Sequence, residues 1–255
     1  MSDNTSMLLK ANLKQLRLPT MSAEFEQLAR HAAAGNEPYG QYLLGLTELE
    51  VATRSANALK ARIKRADFPV LKDFDTYDFS VVPKLNKLNI LELARGEWIE
   101  NNFNCCLIGS PGTGKTHLAI ALGQAACRQG RHVRFFSAAT LVNHLEEAQK
   151  QYQLERFLKQ LDKTDLLICD ELGYLSFSRA GAELLFQVFA DRYERASVLI
   201  TSNLAFGDWE QVFQGERMTA ALLDRLTHRC HIFEMNGESY RFRESVKAAR
   251  KGKSN

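Results

Sequence analysis

The sequence has no long apolar run. None of its hydrophobic stretches approaches the roughly 20 residues that a helix needs to cross a bilayer. The first five residues, Met1–Thr5, are polar and have no apolar core of a secretory signal. We therefore expect a cytoplasmic protein without a membrane-spanning segment. Internal repeats and low-complexity segments are also missing, so the pattern is that of an ordinary globular chain.

Cysteines are few and are not spaced for structural bonds. There are five, an odd number, and no C-x-x-C pair, which argues against a disulfide framework. The stretch His228–His231 has three metal-capable side chains but no second cluster at zinc spacing. The alternation over Cys230–Phe233 instead predicts a strand. A nucleophile elbow and a dispersed acid triad for a catalytic metal site are likewise absent from the sequence.

The composition allows a substantial core and places the basic residues unevenly. The chain has 255 residues, of which 45% are hydrophobic, and a formal net charge of +3. Residues 54–65 contain five basic residues and no acid, and the stretch from Tyr240 onward contains six basic residues and one acid. Such blocks are common as solvated faces, but they also suit a polyanion such as a nucleic-acid backbone.

The central feature of the sequence is Gly109–Thr116, which fits the P-loop pattern G-x-x-x-x-G-K-[ST]. The apolar run Phe103–Ile108 before it predicts a buried strand, and the residues from His117 to Gly130 predict a helix. A strand, a glycine-rich turn and a helix in this order are the context that supports the motif.

The chemistry of this motif is phosphate binding. Glycines let successive backbone N–H groups point at an anion, and the helix N-terminus adds its positive dipole end. Lys115 is predicted to reach the β- and γ-phosphates, and the Thr116 hydroxyl to ligate Mg²⁺. The predicted nucleotide-binding residues are Gly109, Ser110, Pro111, Gly112, Thr113, Gly114, Lys115, Thr116 and His117.

The residues before the P-loop divide into a helical block and a connector. Helices are predicted over Leu8–Leu18, from an N-cap at Ser22 to Gly35, and from about Tyr39 to Ala66 with a break or bend near Gly40 or Gly45. We expect residues 1–69 to form a small all-helical domain and residues 70–255 a nucleotide-binding domain. Within the connector, an aromatic cluster is predicted either to wall the adenine pocket or to be plain core; its members are Phe74, Tyr77 and Phe79.

From the connector onward, helices and strands alternate. The predicted helices are 88–99, 139–161, 180–193 and one that includes 221–226. The predicted strands are 103–108, 132–137, 166–170 and 198–202. Alternating β-α units predict a parallel sheet and an α/β fold.

Two adjacent acids end the strand that begins at Leu166. At the carboxyl end of a parallel strand beside a P-loop, Asp170 is placed to hold Mg²⁺. Glu171 is then placed to activate a water for attack on the γ-phosphate. A small-molecule kinase must keep water from the γ-phosphate, so the second acid favours a hydrolase.

Two further polar residues complete the predicted site. Asn203 follows the next strand and is suited to hold the attacking water, although Asn is also common in turns. Arg225 lies in a predicted helix, where it either pairs with Asp224 or acts as an arginine finger on a neighbouring subunit's ATP.

The motifs in this order resemble the IstB family. They are Gly109–Thr116, Leu166–Tyr174, Thr201–Asn203, Leu222–Leu226 and Gly237–Arg241. IstB proteins are ATP-dependent helpers of insertion-sequence transposition, related to DnaC helicase loaders and part of the AAA+ ATPases. The resemblance covers nearly the whole chain, including its helical N-terminal block.

The resemblance implies a role for each motif. Lys115 and Thr116 would be the Walker A pair, Asp170 and Glu171 the Walker B pair, and Asn203 the first sensor. Arg225 would act in trans in a homo-oligomer, and Arg241 or Arg243 would be a second sensor, although the helical lid is short or missing.

The resemblance also implies partners. The protein would assemble with ATP on target duplex DNA of little sequence preference, hydrolyse ATP and deliver the DNA to a transposase. Basic residues of the helical block are the candidate phosphate contacts, with ordinary solubilising charge as the alternative: Lys10, Lys14, Arg17, Lys60 and Lys64. The other hypotheses are a DnaC-like helicase loader, a small-molecule kinase, and a DNA-binding scaffold whose ATP site only holds the fold.

Overall fold

The computed structural model describes residues 3–240, 242, 243 and 245. The chain forms two compact units, Met1–Ala61 and Arg62–Asn255. The second-sensor candidate Arg241 lies outside the described residues. So do four basic residues near the end of the sequence, which are Lys247, Arg250, Lys251 and Lys253. Within the described part of the chain, no helix is both long enough and apolar enough to span a membrane.

The first unit is built from three helices, as predicted. They are α1 (Asp3–Gln15), α2 (Pro19–Ala34) and α3 (Tyr39–Ala66), of which the last residues of α3 belong to the second unit. Leu13, Met21, Phe25 and Leu46 are buried together as the core of this unit.

Two details of the helical prediction were wrong. The second helix begins at Pro19 rather than after an N-cap at Ser22, because the fixed φ of proline suits the first turn of a helix. Its Met21 N–H donates to the buried Glu50 carboxylate at 2.9 Å, which replaces the missing side-chain cap. Helix α3 also continues through Gly40 and Gly45 without a break.

The second unit is an α/β fold on a five-stranded sheet. Its strands are β1 (Asn104–Ile108), β2 (Val133–Ser137), β3 (Leu166–Leu172), β4 (Ser197–Ser202) and β5 (Cys230–Glu234). Its helices are α4 (Lys87–Leu93), α5 (Glu97–Glu100), α6 (Lys115–Arg128), α7 (Ala138–Lys150), α8 (Leu154–Leu161), α9 (Arg179–Arg192), α10 (Glu210–Phe213) and α11 (Glu216–Thr227).

All neighbouring strands pair in parallel, in the order β2-β3-β4-β1-β5. The predicted parallel sheet and α/β class are thus confirmed. Because β1 lies between β4 and β5, the carboxyl ends of β1, β4 and β3 are consecutive at one edge of the sheet. Ligands of open α/β sheets bind at this edge.

Two predicted helices are each divided in two. The stretch 88–99 becomes α4 and α5 because Gly96 adopts a left-handed φ of 81°, a conformation that favours glycine. The stretch 139–161 becomes α7 and α8, with Tyr152 left-handed between them at a φ of 57°.

The cysteines act as small apolar residues. All five are free thiols, and four are fully buried in the sheet and in α6: Cys105, Cys106, Cys127 and Cys169. Burial raises the pKa of Cys127 to about 11 and that of Cys169 further. These thiols pack in the core as small apolar side chains.

Candidate functional site

A cavity of about 480 Å³ opens at the carboxyl ends of β1, β3 and β4. The P-loop forms one side of it, the connector before β1 forms another, and residues at and just beyond the carboxyl ends of β3 and β4 form a third. The lining residues are Val70, Lys72, Thr76, Tyr77, Asp78, Val81, Pro111, Gly112, Thr113, Gly114, Lys115, Thr116, His117, Ile120, Glu171, Tyr174, Thr201, Asn203 and Tyr240.

The P-loop backbone has the form of an anion-binding nest. Gly112 and Gly114 have left-handed φ angles of 80° and 88°, and a Cβ on Gly114 would lie 2.5 Å from the Tyr77 ring. Helix α6 begins directly after this turn. Within the described residues, the N–H groups of Ser110, Gly112, Thr113 and Gly114 donate no hydrogen bond to the protein. They are available to a phosphate.

Lys115 is folded back over the loop. Its Nζ lies 2.7 Å from the Gly109 carbonyl oxygen and 2.8 Å from that of Ser110. The ammonium group is therefore held beside the nest, and α6 points its N-terminus at the same space. Of the predicted nucleotide-binding residues, those from Pro111 to His117 line the cavity, whereas Gly109 and Ser110 are not among its lining residues.

Asp170 connects the P-loop to the neighbouring strands. It is 5% exposed, and its Oδ1 accepts hydrogen bonds from Thr116 Oγ1 at 3.0 Å and Thr201 Oγ1 at 2.5 Å. Burial raises the pKa of Asp170, whereas these two hydrogen bonds act to lower it. A carboxylate and a hydroxyl side by side are hard oxygen donors of the type that Mg²⁺ takes.

Glu171 occupies a bulge in β3. Cys169 pairs with Ile200 and Leu172 pairs with Ser202, so Asp170 and Glu171 together oppose the single residue Thr201. Glu171 is left-handed, with a φ of 61°, a conformation that costs of order 1–3 kcal/mol in a non-glycine residue. Consecutive side chains of a regular strand point to opposite faces. The bulge interrupts this alternation of side chains. Glu171 is exposed and, like Thr116, lines the cavity.

Asn203 and Arg225 are in different places. Asn203 follows β4, is exposed and lines the cavity. Arg225 is half-buried on α11, with its guanidinium carbon 5.8 Å from the centroid of the Phe186 ring, and it is not among the cavity residues. In the part of the chain that the structure describes, it forms no ion pair, so the alternative of a local pair with Asp224 is wrong.

The connector supplies residues that the motifs did not indicate. Tyr77 is buried, and its hydroxyl donates to the Thr113 carbonyl oxygen at 3.0 Å. Burial, with a smaller effect of the Asp78 carboxylate, raises its pKa to about 12. Val70 and Val81 add apolar wall, whereas Phe74 and Phe79 of the predicted aromatic cluster do not line the cavity. No periodicity in this stretch distinguished lining residues from the others.

His117 joins the connector to α6. Its Nε2 lies 2.7 Å from the Asp73 carbonyl oxygen, and the centroids of its ring and the Tyr77 ring are 5.3 Å apart. The connector is therefore held against the first turn of α6 beside the P-loop.

The segment after β5 crosses the P-loop. Met235 N–H donates to the Ile108 carbonyl oxygen at 2.6 Å, and Tyr240 N–H donates to the Gly112 carbonyl oxygen at 3.0 Å. A second-sensor candidate, Arg243, pairs with Asp78 at 2.6 Å. Its charge is thus engaged by an acid of the connector.

The candidate DNA-binding residues are all exposed, but they differ in their surroundings. Lys10 pairs with Glu26 at 2.9 Å, which offsets its charge. Arg17 lies beyond the end of α1 with a φ of 57°, so it is not on the helix that carries Lys10 and Lys14. Lys60 and Lys64 are one turn apart on α3.

The described residues contain no group of three side chains among His, Cys, Asp and Glu that could hold a metal ion. Within His228–His231, the Nδ1 of His228 lies 3.1 Å from the Tyr193 hydroxyl, while Cys230 and His231 belong to β5.

Comparison with known proteins gives the family. Residues 11–248 match the profile described as IstB-like ATP binding protein. The chain belongs to the IstB family. An insertion sequence ATP-binding protein of Sinorhizobium fredii is 39% identical over 93% of this chain and 80% of its own. The corresponding protein of IS5376 from Geobacillus stearothermophilus is 39% identical over 90% and 92%, and that of IS21 from Pseudomonas aeruginosa is 37% identical over 94% and 91%.

Solved structures share the fold over about two thirds of the chain. The replication initiator DnaA, solved with AMPPCP and single-stranded DNA, matches with a TM-score of 0.51 and 25% identity over 69% of this chain and 56% of its own. DnaI matches with a TM-score of 0.53 and 17% identity over 66% and 89%. The predicted AAA+ P-loop fold is confirmed, and the IstB-like protein is an insertion-sequence ATP-binding protein of that fold.

Proposed function

We propose that this IstB-family protein hydrolyses ATP with Mg²⁺ and uses the cycle to assemble on target DNA during transposition. The observation that carries the ATPase proposal is the cavity that P-loop residues, Lys115, Thr116 and Glu171 line together, with Asp170 hydrogen-bonded to Thr116. The relatives are named as ATP-binding proteins of insertion sequences, which supports the transposition context.

The triphosphate is assigned to the P-loop end of the cavity. The free amides of the loop bind the β-phosphate, and Lys115 exchanges its contacts with the Gly109 and Ser110 carbonyls for contacts with the β- and γ-phosphates. Thr116 and Asp170 hold Mg²⁺, which offsets negative charge on the phosphate oxygens when it is bound. The adenine is assigned to the apolar end, against Val70, Tyr77 and Val81.

Glu171 is assigned as the group that orients and deprotonates the attacking water, with Asn203 as its partner in holding that water. Both side chains are exposed to the cavity, where a water has access to them. This exposure favours hydrolysis over transfer to a small metabolite, because a kinase site excludes water from the γ-phosphate.

Arg225 is assigned to the site of a neighbouring subunit. Its guanidinium is outside its own cavity and is not engaged with an acid in the described part of the chain, so it is available to stabilise charge on another copy's γ-phosphate. A site completed in this way requires a homo-oligomer and makes turnover depend on assembly.

Duplex DNA is the proposed polymer on which the copies assemble, with Lys14, Lys60 and Lys64 as candidate contacts. Their ammonium groups are exposed and form no ion pairs within the described residues, so they are available to phosphates. Phosphate contacts bind without reading base sequence, which suits many targets. A transposase is the proposed recipient of the bound DNA.

Light scattering tests assembly, and phosphate release tests hydrolysis. The purified chain is measured with and without ATP, on random-sequence duplex DNA and on single strands of equal length. A large assembly that requires both ATP and duplex, together with phosphate release, supports the proposal. Assembly on single strands alone would favour a helicase loader, and a chain that stays monomeric without phosphate release would refute the ATPase mechanism.

A further inference from the structure

Thr201 faces the bulge of β3 from the adjacent strand. It is 1% exposed and opposes both Asp170 and Glu171. Its Oγ1 accepts a hydrogen bond from the Glu171 N–H at 2.9 Å and donates one to Asp170 Oδ1 at 2.5 Å. One hydroxyl therefore contacts the backbone of one acid and the side chain of the other.

The direction of these hydrogen bonds is determined by their partners. The Glu171 amide is only a donor and the ionised Asp170 carboxylate only an acceptor, so the single hydroxyl proton lies between Thr201 and Asp170. Thr116 reaches the same Asp170 oxygen at 3.0 Å. Asp170 thus has two hydroxyl donors, and the Glu171 amide donates to the Thr201 hydroxyl.

The Glu171 backbone needs such a partner. The residue is the extra one of a bulge, has a left-handed φ of 61° and carries a side chain that leans into the cavity. A strained backbone conformation persists only where surrounding contacts hold it. Ser202, the next residue of β4, donates to the Leu172 carbonyl oxygen at 2.7 Å and thereby marks the end of the bulge.

We propose that Thr201 is a positioning residue for ATP hydrolysis, because its hydroxyl holds the Glu171 backbone in the bulge that directs the Glu171 carboxylate into the cavity. The inference rests on the proposed ATPase function. It assigns no contact between Thr201 and the nucleotide, and it makes the hydroxyl, rather than the size of the side chain, the important feature.

The test compares Thr201→Val, which keeps the volume and removes the hydroxyl, with Thr201→Ser, which keeps the hydroxyl. In Thr201→Val we expect kcat to fall about 10–100-fold, the size of effect expected when a reacting group is misplaced by up to about 1 Å. The KM for ATP should change less than about twofold, because Lys115 and the loop amides are untouched. Thr201→Ser should stay within about threefold of the wild-type kcat.

A second measurement is independent of turnover. Hydrogen exchange of the Glu171 amide in the nucleotide-free protein should be about tenfold faster in Thr201→Val, because the side-chain acceptor of that amide is lost. Thr201→Ser should retain protection. Thr219→Val is the matched control. Thr219, on α11 and outside the cavity, is also buried and donates to the Gly215 carbonyl oxygen. In this control, the Glu171 amide should exchange at the wild-type rate.

The double variant with Glu171→Gln shows which acid Thr201 acts through. If Thr201 acts through Glu171, the double variant should have a kcat within about twofold of that of Glu171→Gln alone. A kcat defect that saturating Mg²⁺ removes would assign Thr201 to Asp170 and overturn the inference. Should Thr201→Val fail to fold, Thr201→Cys replaces it, because a thiol hydrogen-bonds weakly, and the same order of kcat values is expected.

The outcomes separate the two proposals. A wild-type protein without phosphate release on DNA would overturn the ATPase proposal and this inference with it. An active wild type with an equally active Thr201→Val, or with Thr201→Ser as impaired as Thr201→Val, would overturn the inference alone.

Discussion

Replacing Glu171 with glutamine is the sharpest perturbation of the proposed mechanism. The substitution keeps the shape of the side chain, and it removes the negative charge and with it the ability to take a proton. Glu171 is exposed, and among the residues described it has no ion pair to lose. Its N–H contact with Thr201 is a backbone contact and remains. The left-handed φ of 61° is equally strained for Glu and Gln.

These contacts give separate magnitudes for stability and for turnover. The free energy of unfolding should change by less than about 0.5 kcal/mol, as for a surface substitution that breaks no contact. Loss of a general base lowers kcat by about 10²–10⁴-fold. At 1.36 kcal/mol per tenfold, this corresponds to about 3–5 kcal/mol of activation free energy. ATP binding should be retained, because the loop amides, Lys115, Thr116 and Asp170 are unchanged.

The assay measures phosphate release at saturating ATP and Mg²⁺ on duplex DNA, with light scattering in parallel. We expect Glu171→Gln to form the ATP-dependent assembly and to remain in it, since hydrolysis no longer reverses it. The matched control is Glu183→Gln, an exposed glutamate on α9 that pairs with Arg179 and lies outside the cavity. Its phosphate release should be that of the wild type.

Normal phosphate release by Glu171→Gln would refute the assignment of Glu171 as the base. A variant that neither binds ATP nor assembles would show instead that the carboxylate has a role in binding. A loss of unfolding free energy above about 2 kcal/mol would contradict the structural argument that the side chain is free.

Three further variants test other parts of the molecule. Lys115→Ala should abolish ATP binding in a filter or fluorescence assay, because the loop loses its side-chain cation. The control variant Lys159→Ala, on α8, should bind ATP normally. Tight ATP binding by Lys115→Ala would refute the P-loop role. Arg225→Ala should bind ATP but lose about 10³–10⁵-fold in turnover. Mixing it with Lys115→Ala should restore part of the activity, because each variant supplies the group that the other lacks. No restoration would count against an arginine finger supplied in trans. Phe25→Ala should lower the free energy of unfolding of the first unit by about 3–5 kcal/mol, because Phe25 is 1% exposed in that unit's core. A loss of unfolding free energy below about 1 kcal/mol in urea titrations would contradict that placement.

Local patterns in the sequence were enough for the class of fold and for the components of the site. A P-loop is recognisable because eight consecutive residues carry its glycines, its cation and its hydroxyl. The strands before it and before Asp170 are recognisable because strands buried on both faces are continuous apolar runs. Alternation of these strands with helical segments predicted the parallel sheet, which the structure confirms.

Other features depend on residues far apart in the chain. The cavity wall from Val70 to Val81 has no period of its own, and it lines the site because Tyr77 and His117 join it to the P-loop and to α6. The alternative pairing of Arg225 with Asp224 was open in the sequence, and the packing of α11 decided against it by placing the guanidinium over Phe186.

The bulge at Glu171 shows most clearly which features follow from local sequence and which depend on the tertiary structure. Two adjacent acids after a strand predicted a metal ligand and a base, but regular strand geometry would direct their side chains to opposite faces. Whether a residue of one strand faces one or two residues of the next depends on the pairing register, which a single strand does not encode. The sequence therefore determined that Asp170 and Glu171 lie near the carboxyl end of β3, and only the tertiary structure placed Thr201 opposite both of them and placed Glu171 at the cavity.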